Sequence, residues 1–384
     1  MNPVSVFPGR LAIQQRVLPA YRAPFFNLLA EACQGGLSVF AGSALPEEAI
    51  AHSGELDRAR FYPARNLNLF PIRSPFYQCW QVGWRRWLEA WQPDVLIVEA
   101  NPRYPTTRMA VRWMHARRKP VLGWGLGVPS LAAGSFGQSW LEAWRQRQRV
   151  PFLRSLDGMI AYSRRGAEEY RRLGFPPGRV FVAPNAVTPR PTHPPPSRPE
   201  EVGHPPVVLF VGRMQARKRL DLLFQACAAL PSGSQPDVWI VGDGPDRSDF
   251  ERQAQQLYSK ARFFGERRGE ELEPLFAGAD LFVLPGTGGL AIQQAMAHGL
   301  PVVVAQGDGT QEDLVCPSNG WLVPPGDLSS LIQTLKSALG DRRRLREMGA
   351  ESYRIVSEEV NLEKMANVFV QAACQVMQLE KTVS

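Results

Sequence analysis

Short apolar runs, each ended by glycine, proline or a polar residue, alternate along the chain with longer stretches of helical periodicity. Apolar runs of this length are typical of strands that are buried on both faces of a parallel sheet. The predicted strands are 37–40, 94–98, 121–124, 158–162 and 180–183, then 207–211, 238–241, 261–264, 281–284 and 302–305. The predicted helices include 24–33, 108–117, 220–230, 246–258, 290–298 and a helical region after Asp327. This alternation predicts an α/β fold.

A proline-rich segment at residues 188–206 divides the chain into two nearly equal halves. Its prolines remove backbone donors and disfavour both a helix and an inner strand. We therefore predict two doubly wound, Rossmann-like domains at 1–187 and 207–384, joined by a linker at 188–206. We also consider a last helix that packs back on the N-terminal domain. Ligands are expected in a cleft where the carboxyl ends of the two sheets meet.

Charge is distributed unevenly along the 384 residues, whose formal net charge is +8. Residues 1–190 contain 25 basic and 12 acidic side chains, whereas the remainder contains 19 and 24. The basic half is expected to face an anionic molecule or surface, with an ordinary arginine-rich soluble surface as the alternative. No motif that reads nucleic acid is recognisable, so nucleic acid is not expected as a partner.

The five cysteines and five histidines show no spacing typical of a metal site. No apolar stretch approaches the roughly 18 residues of a spanning helix, and no signal peptide is evident. A cytoplasmic location is expected, and a peripheral position on the inner face of the cell membrane stays open. Four tryptophans at helical spacing, with two arginines alongside, indicate either an interfacial helix or a helix packed into the core. These residues are Trp80, Trp84, Trp87, Trp91, Arg85 and Arg86.

Two loops after the first strands of the second half are suited to a diphosphate. Gly212 ends the first strand and is followed by Arg213 and Lys218, two cations that can neutralise phosphate charge. Gly242 and Gly244 form a tight turn after the next strand. Such turns are common, so this second loop is a weak signal by itself.

A glycine-rich turn opens the predicted helix at 290–298. Free amides at the start of a helix, here near Gly288, Gly289 and Leu290, favour an anion such as a nucleotide phosphate. Glu312 adds an acid at the same predicted sheet edge.

Taken in order, these motifs resemble the retaining GT-B glycosyltransferases of family 4. The order is GR(x4)K, GDGP, FFGE, ADLFVLP, GL(x4)AMAxGxPVV and NGWLVPPGD, which covers nearly all of residues 207–330. A weaker likeness extends over 161–185. The resemblance implies transfer of a sugar from a UDP- or GDP-sugar to a carbohydrate or lipid-linked acceptor in glycan or polysaccharide biosynthesis. It also implies retention and no metal or other cofactor.

The resemblance implies a role for each matching residue. Arg213 and Lys218 would hold the donor diphosphate and stabilise the charge that develops on the leaving group. The turn at 288–290 would meet the phosphate or the sugar. Phe264 and its neighbours would hold the base, and Gln294 would contact the ribose.

Three positions depart from the family pattern. The usual Glu-x7-Glu pair is replaced by Gly286 and Gln294, and a frequent histidine in the first domain by Leu126. An amide can still bond to ribose hydroxyls, whereas glycine offers no side chain to the sugar. The alternatives to an active transferase are a GT-B pseudoenzyme that binds nucleotide or glycan, and a GT-B sugar-nucleotide epimerase.

The acceptor-side candidates lie in the first half. The segment 15–26 resembles the start of family members that build exported polysaccharides, and by its position it is expected to follow the first strand and face the cleft. The segment 101–104 follows a predicted strand. An ordinary strand–helix junction is the alternative for the first segment. The candidates are Arg16, Tyr21, Arg22, Asn101, Arg103, Trp124 and Leu126.

Overall fold

A computed structural model describes residues 5–48, 50–52, 54–72, 74–128, 140–199 and 205–383, with backbone only for 140–146 and 380–383. The strands are β1 Leu11–Val17, β2 Leu37–Gly42, β3 Arg60–Pro63, β4 Arg65–Leu69, β5 Gln78–Val82, β6 Val95–Glu99, β7 Val121–Gly125, β8 Gly158–Ala161, β9 Val180–Val182, β10 Val207–Val211, β11 Asp237–Val241, β12 Ala261–Phe263, β13 Leu281–Leu284, β14 Val302–Ala305 and β15 Gly320–Val323. The helices are α1 Ala23–Glu31, α2 Trp84–Trp91, α3 Pro105–His115, α4 Trp140–Arg154, α5 Arg164–Arg172, α6 Leu220–Ala228, α7 Arg247–Leu257, α8 Glu273–Gly278, α9 Leu290–Ala297, α10 Thr310–Leu314, α11 Leu328–Leu339, α12 Arg342–Glu358 and α13 Leu362–Val383.

The chain forms two compact units. The first comprises Met1–Val187 and Leu362–Ser384, and the second comprises Thr188–Asn361. The first unit therefore contains α13, whose Phe369 ring lies 4.9 Å from the rings of both Phe25 and Trp124. These aromatic contacts place the last helix in the core of the first unit.

The first unit is built on a seven-stranded sheet of order β3-β2-β1-β6-β7-β8-β9. Its strand pairs are all parallel, and β1 pairs with both β2 and β6. The strand order therefore reverses between β1 and β6, the place where doubly wound sheets bind ligands at their carboxyl edge. A separate antiparallel hairpin, β4 with β5, stands outside this sheet.

The second unit repeats the plan with a six-stranded parallel sheet of order β12-β11-β10-β13-β14-β15. Here β10 pairs with β11 on one side and β13 on the other, which sets the switch point between the loops after β10 and β13. The prediction of two doubly wound, Rossmann-like domains is confirmed.

The described part of the proline-rich segment packs on the second unit. Arg198 donates to the carbonyl oxygens of Ala279 and Phe276 at 2.8 Å each, and of His298 at 2.9 Å. The Tyr353 hydroxyl donates to the His193 carbonyl oxygen at 2.6 Å. These contacts hold the segment against the C-terminal ends of α8 and α9 and against α12.

The tryptophan pattern does not form one helix. Trp80 lies in β5, and Gly83, with φ of 96°, turns the chain into α2. Trp87 is buried, stacks on Phe40 at 4.8 Å and donates to Ser38 Oγ at 2.7 Å. The tryptophans of α2 therefore pack on the core of the first unit, as the core interpretation predicts, whereas Trp80 belongs to the hairpin and is exposed.

The start of the chain also differs from expectation. Residues 15–17 belong to β1 instead of following it, so Arg16 stands inside the strand.

Among the described residues, no helix combines the length and the apolar character needed to span a bilayer.

Candidate active site

At the carboxyl edge of the second sheet, the loops after three adjacent strands are joined into one rim. The Gly212 amide donates to the Val241 carbonyl oxygen at 3.0 Å, and the Gly242 amide to that of Gly265 at 2.8 Å. The loops after β10, β11 and β12 are thereby joined through their backbones. Arg213 stands half-buried on this rim, directly after Gly212.

Two further predicted residues belong to the same rim. Phe264 is half-buried and donates its amide to the Ile240 carbonyl oxygen at 2.9 Å. Gly244 lies in the turn after β11, where the Met214 amide donates to the Asp243 carbonyl oxygen at 2.8 Å. The rim therefore brings together the predicted positions from three adjacent strands.

Lys218 is the best-defined cation of this edge. Its side chain is buried, and Nζ donates to the Thr287 carbonyl oxygen at 2.6 Å. Gly288 has a φ of 134°, a backbone conformation that favours glycine, and a Cβ there would displace Lys218 Nζ. A Cβ on Gly212 would lie 4.0 Å from Lys218 Cε. The structure thus brings Gly212, Lys218 and Gly288 together.

Burial has an electrostatic cost for this lysine. Removal from water, with a smaller contribution from the neighbouring Arg217 guanidinium, lowers the pKa of Lys218 to about 8. A charged group held partly dehydrated against the Thr287 carbonyl oxygen gains more from an incoming anion than an exposed lysine does.

Gly286 is held against the backbone of the Lys218 turn. A Cβ at Gly286 would lie 2.5 Å from Lys218 C and 2.6 Å from its Cα, and closer still to the Arg217 carbonyl oxygen. That same oxygen accepts the Thr287 amide at 3.0 Å. The position where the family usually has glutamate therefore has no room for any side chain.

The turn before α9 is supported from α10. Gly289 precedes α9 without a side-chain cap, so the first amides of the helix are not used by a capping group. Gln311, buried on α10, donates from Nε2 to the Gly288 carbonyl oxygen at 2.8 Å. Sequence reasoning missed this residue, because its role depends on a contact between loops that are distant in sequence.

Glu312 and Gln294 occupy different settings. Glu312 Oε2 is buried and has no hydrogen-bond partner within the described residues. Such a carboxylate oxygen is suited to accept hydroxyl groups of a ligand. Gln294 is half-buried on α9, while its neighbour Gln293 is fully buried and donates to the Val360 carbonyl oxygen at 2.6 Å.

Across the described ranges no group of histidine, cysteine and acidic side chains could hold a metal ion.

In the first unit, Arg16 is engaged by acidic groups at the carboxyl end of β1. Its guanidinium forms a salt bridge with Glu48, and its amide donates to Glu99 Oε1 at 2.9 Å. Burial raises the pKa of Glu99, although the Arg16 amide and charge oppose this. Sequence reasoning missed Glu99, whose carboxyl group at the end of β6 can accept a hydrogen bond from a hydroxyl group.

Arg22 lies nearby in sequence but in a different environment. It is buried, hydrogen-bonds to Asn185, and lies 5.1 Å from the Trp124 ring and 5.9 Å from that of Tyr162. Tyr21 is exposed, and its ring lies 5.3 Å from the same guanidinium. The structure thus brings Tyr21, Arg22 and Trp124 together.

The remaining acceptor-side candidates lie on loops. Asn101 Oδ1 accepts the Arg103 amide at 3.1 Å, and the Arg103 carbonyl oxygen accepts the Cys79 amide at 3.1 Å. Leu126 follows β7 and is exposed. Asn101 and Arg103 are therefore tied to the hairpin strand β5.

Comparison with known proteins supplies two family matches. The family described as glycosyl transferases group 1 matches residues 205–341, and that described as glycosyltransferase family 4 matches residues 37–191. The motif series at 207–330 lies within the first match.

Individual relatives show the same relation. Sulfoquinovosyl transferase SQD2 of Arabidopsis thaliana is 34% identical over 145 residues, which are 36% of this chain and 27% of that protein. A GDP-mannose-dependent alpha-mannosyltransferase of Mycolicibacterium smegmatis is 33% identical over 165 residues, 40% of this chain and 42% of that protein. The chain spans less than half the length of these curated relatives.

A solved structure extends the likeness to the whole fold. The Anabaena HepE structure in complex with UDP has a TM-score of 0.67 and 18% identity, covering 97% of this chain and 99% of its own. The family matches fall on both units, and the fold is shared over nearly the full length. The chain therefore belongs to the group 1 glycosyltransferases, family 4, and has the GT-B fold.

Proposed function

We propose that this protein transfers a sugar from a nucleoside-diphosphate donor to a hydroxyl group of a carbohydrate or lipid-linked acceptor, in glycan or glycolipid biosynthesis. Transfer would proceed with retention at the anomeric carbon and without a metal ion. The observation that carries the proposal is Lys218, buried between the Gly212 and Gly288 loops with its ammonium group on the glycine-rich turn.

The donor would bind along the carboxyl edge of the second sheet. Its diphosphate would be neutralised by Lys218 and Arg213 and meet the uncapped amides at the start of α9. Glu312 Oε2, buried and unpartnered in the described residues, would accept hydroxyl groups of the sugar or the ribose. UDP is bound by Anabaena HepE, and GDP-mannose is named as the donor of the mycobacterial relative, so these two nucleotides are the first candidates.

The proposed reaction breaks the bond between the anomeric carbon and the diphosphate oxygen and forms one to the acceptor oxygen. The acceptor proton passes to the leaving phosphate on the same face of the sugar, so no protein base is required. Lys218 and Arg213 stabilise the negative charge that accumulates on the diphosphate. In this reaction the leaving phosphate takes the proton and the two cations stabilise the charge, which fits a site in which position 286 has no side chain.

Binding should identify the base. In a thermal-unfolding panel with UDP, GDP, ADP, TDP and CMP, we expect one diphosphate to raise the melting temperature by several degrees. A ligand at 100 times its Kd adds about 2.7 kcal/mol to the folded state. For a unit of roughly 170 residues, each kcal/mol of added stability raises the melting temperature by about 2–4 °C.

The outcomes separate the candidate functions. A shift with one diphosphate, absent in Lys218→Met, followed by release of that diphosphate from its sugar nucleotide, supports the transferase. Alteration of the donor sugar without an acceptor would indicate an epimerase. Binding without turnover would indicate a pseudoenzyme, and no shift with any nucleotide would contradict the donor site.

Binding should also depend on pH. Because the pKa of Lys218 is lowered to about 8, the unliganded site carries its full charge only below that pH. The Kd of the diphosphate should be flat below pH 8 and rise by about tenfold per unit well above it, as the competent fraction falls. Titration calorimetry at pH values from about 6.5 to about 10, which lie on both sides of the Lys218 pKa, measures this profile. The Lys218→Met variant should bind weakly throughout, and an unchanged rise in that variant would assign the titration to another group.

A further inference from the structure

The hairpin of β4 and β5 exposes apolar side chains and buries polar ones. Its register pairs Leu67 with Trp80 and Arg65 with Val82. Alternation along both strands then places one set of large apolar side chains on the outer face. We call this set, together with two phenylalanines beyond the strand ends, the apolar hairpin face. It comprises Leu67, Leu69, Phe70, Phe76, Trp80 and Val82, all between 37% and 62% exposed.

The polar inner face fixes this orientation. Gln81 is buried, donates to the Gln15 carbonyl oxygen at 2.9 Å and accepts from Gln14 Nε2 at 3.0 Å. Asn66 Nδ2 donates to the Arg16 carbonyl oxygen at 2.8 Å, and the Tyr77 hydroxyl donates to Asn68 Oδ1 at 2.6 Å. A slip by one residue would break these bonds while burying the leucines. The outward apolar face is therefore specified by the buried hydrogen bonds.

A contiguous exposed face of this kind marks an interaction site in a soluble protein. Scattered exposed leucines need no explanation, but here adjacent strands contribute to one surface. Phe70 and Phe76 extend it beyond the strands, with ring centroids 6.3 Å apart.

The surroundings of this face carry positive charge. Residues 58–88 include six arginines and no aspartate, glutamate or lysine, although Asp57 and Glu89 lie directly at the two ends of this stretch. Arg58 pairs with Glu31, and Arg73 lies outside the described residues. Arg65 stands on the same exposed face as Leu67 and Leu69. Arg85 and Arg86 are exposed on the first turn of α2, next along the chain from Val82. Arg85 forms a salt bridge with Glu89 at 2.8 Å, so the positive charge attributed to this face comes from Arg65 and Arg86.

We propose that the apolar hairpin face docks on an anionic lipid surface. Leucine, phenylalanine and tryptophan side chains would enter the headgroup boundary while the arginines meet lipid phosphates. A second copy of the chain is disfavoured as the occupant, because a face-to-face pair would bring the Arg65 and Arg86 side chains of the two copies together. The proposal concerns the first unit and does not depend on the donor assignment in the second.

The position of the hairpin relates the proposed lipid contact to the acceptor side of the first unit. Its inner face bonds to backbone oxygens of Gln15 and Arg16, at the carboxyl end of β1. If the proposed function holds, a lipid-linked acceptor would reach this edge from the surface on which the hairpin rests.

Vesicle co-sedimentation tests the proposal. One set of vesicles contains phosphatidylcholine alone, and the other contains phosphatidylcholine and phosphatidylglycerol in equal parts. We expect the protein to bind the mixed vesicles and to be released by salt. The triple variant Leu67→Thr/Leu69→Thr/Val82→Thr keeps β-branched or strand-compatible residues, and its partition coefficient should fall by at least about tenfold. Arg65→Gln/Arg86→Gln should lose the preference for anionic vesicles.

The matched control is Leu257→Gln, which changes an equally exposed leucine, 43% against 43% for Val82, on α7 of the second unit. It should bind like the unmodified protein. Each variant is checked for an unchanged melting temperature and for the diphosphate-induced shift, which reports on the donor site separately. Equal sedimentation of the triple variant, or no binding to either vesicle, would overturn the proposal. A dimer that the triple variant converts to a monomer would assign the face to a second copy instead.

Discussion

Lys218→Ala is expected to lower the rate of sugar transfer by about two to three orders of magnitude, the usual effect of removing one preorganised group that stabilises developing charge. The side chain is buried and its ammonium group is fixed 2.6 Å from the Thr287 carbonyl oxygen. The cation is thus held in place before the donor arrives. The measurement is the turnover of the sugar nucleotide that the thermal panel selects.

Two further variants separate charge from packing. Lys218→Met keeps the length of the side chain and should be as inactive as Lys218→Ala. Lys336→Ala removes an exposed lysine on α11 of the same unit and should leave turnover unchanged. Retention of activity by Lys218→Met would mean that the lysine only packs the loops, and would remove it from the proposed chemistry.

Gly286→Ala is expected to destabilise the protein by about 1–3 kcal/mol, and Gly286→Glu by more, as overpacking in a fixed backbone environment does. The atoms that a Cβ would meet belong to the backbone of Arg217 and Lys218, so a rotamer change cannot relieve the overlap. Thermal unfolding should show a fall of roughly 2–4 °C per kcal/mol. Donor binding should weaken as well, because the turn that carries Lys218 must move.

Gly233→Ala provides the control for this series. A Cβ at Gly233 meets no atom within 4 Å, so the melting temperature should stay constant or rise slightly. A stable Gly286→Glu variant with increased turnover would show that the Lys218 turn tolerates the family's usual glutamate. That result would contradict the loop packing described above.

The parts of the fold that were predictable from sequence are the strands buried on both faces. The strands β10, β13 and β14 match their predicted bounds to the residue, because short apolar runs bounded by glycine, proline or a polar residue leave little choice. The hairpin strands β4 and β5 were not predicted, since their apolar residues point outward. Trp80 shares a helical spacing with Trp84 by coincidence, although a turn at Gly83 separates them.

The site was predictable where it depends on local motifs. Lys218 and Gly288 were predicted from their loops, and the structure brings them together. Gln311 and Glu99 escaped prediction, because each acts through a partner distant in sequence: the Gly288 carbonyl oxygen and the Arg16 amide. Likewise, the sequence shows that Gly286 lacks a side chain, but only the fold shows backbone occupying that space.

The close approach of Gly286 to the turn at 216–218 has an evolutionary consequence. Neither segment can change alone during evolution. A larger residue at 286 requires a displaced turn, and a displaced turn removes the backbone that packs against Gly286. The two segments should therefore be inherited as a pair. Engineering of donor choice in this chain should exchange both segments together, as one block taken from a single relative, and not residue by residue.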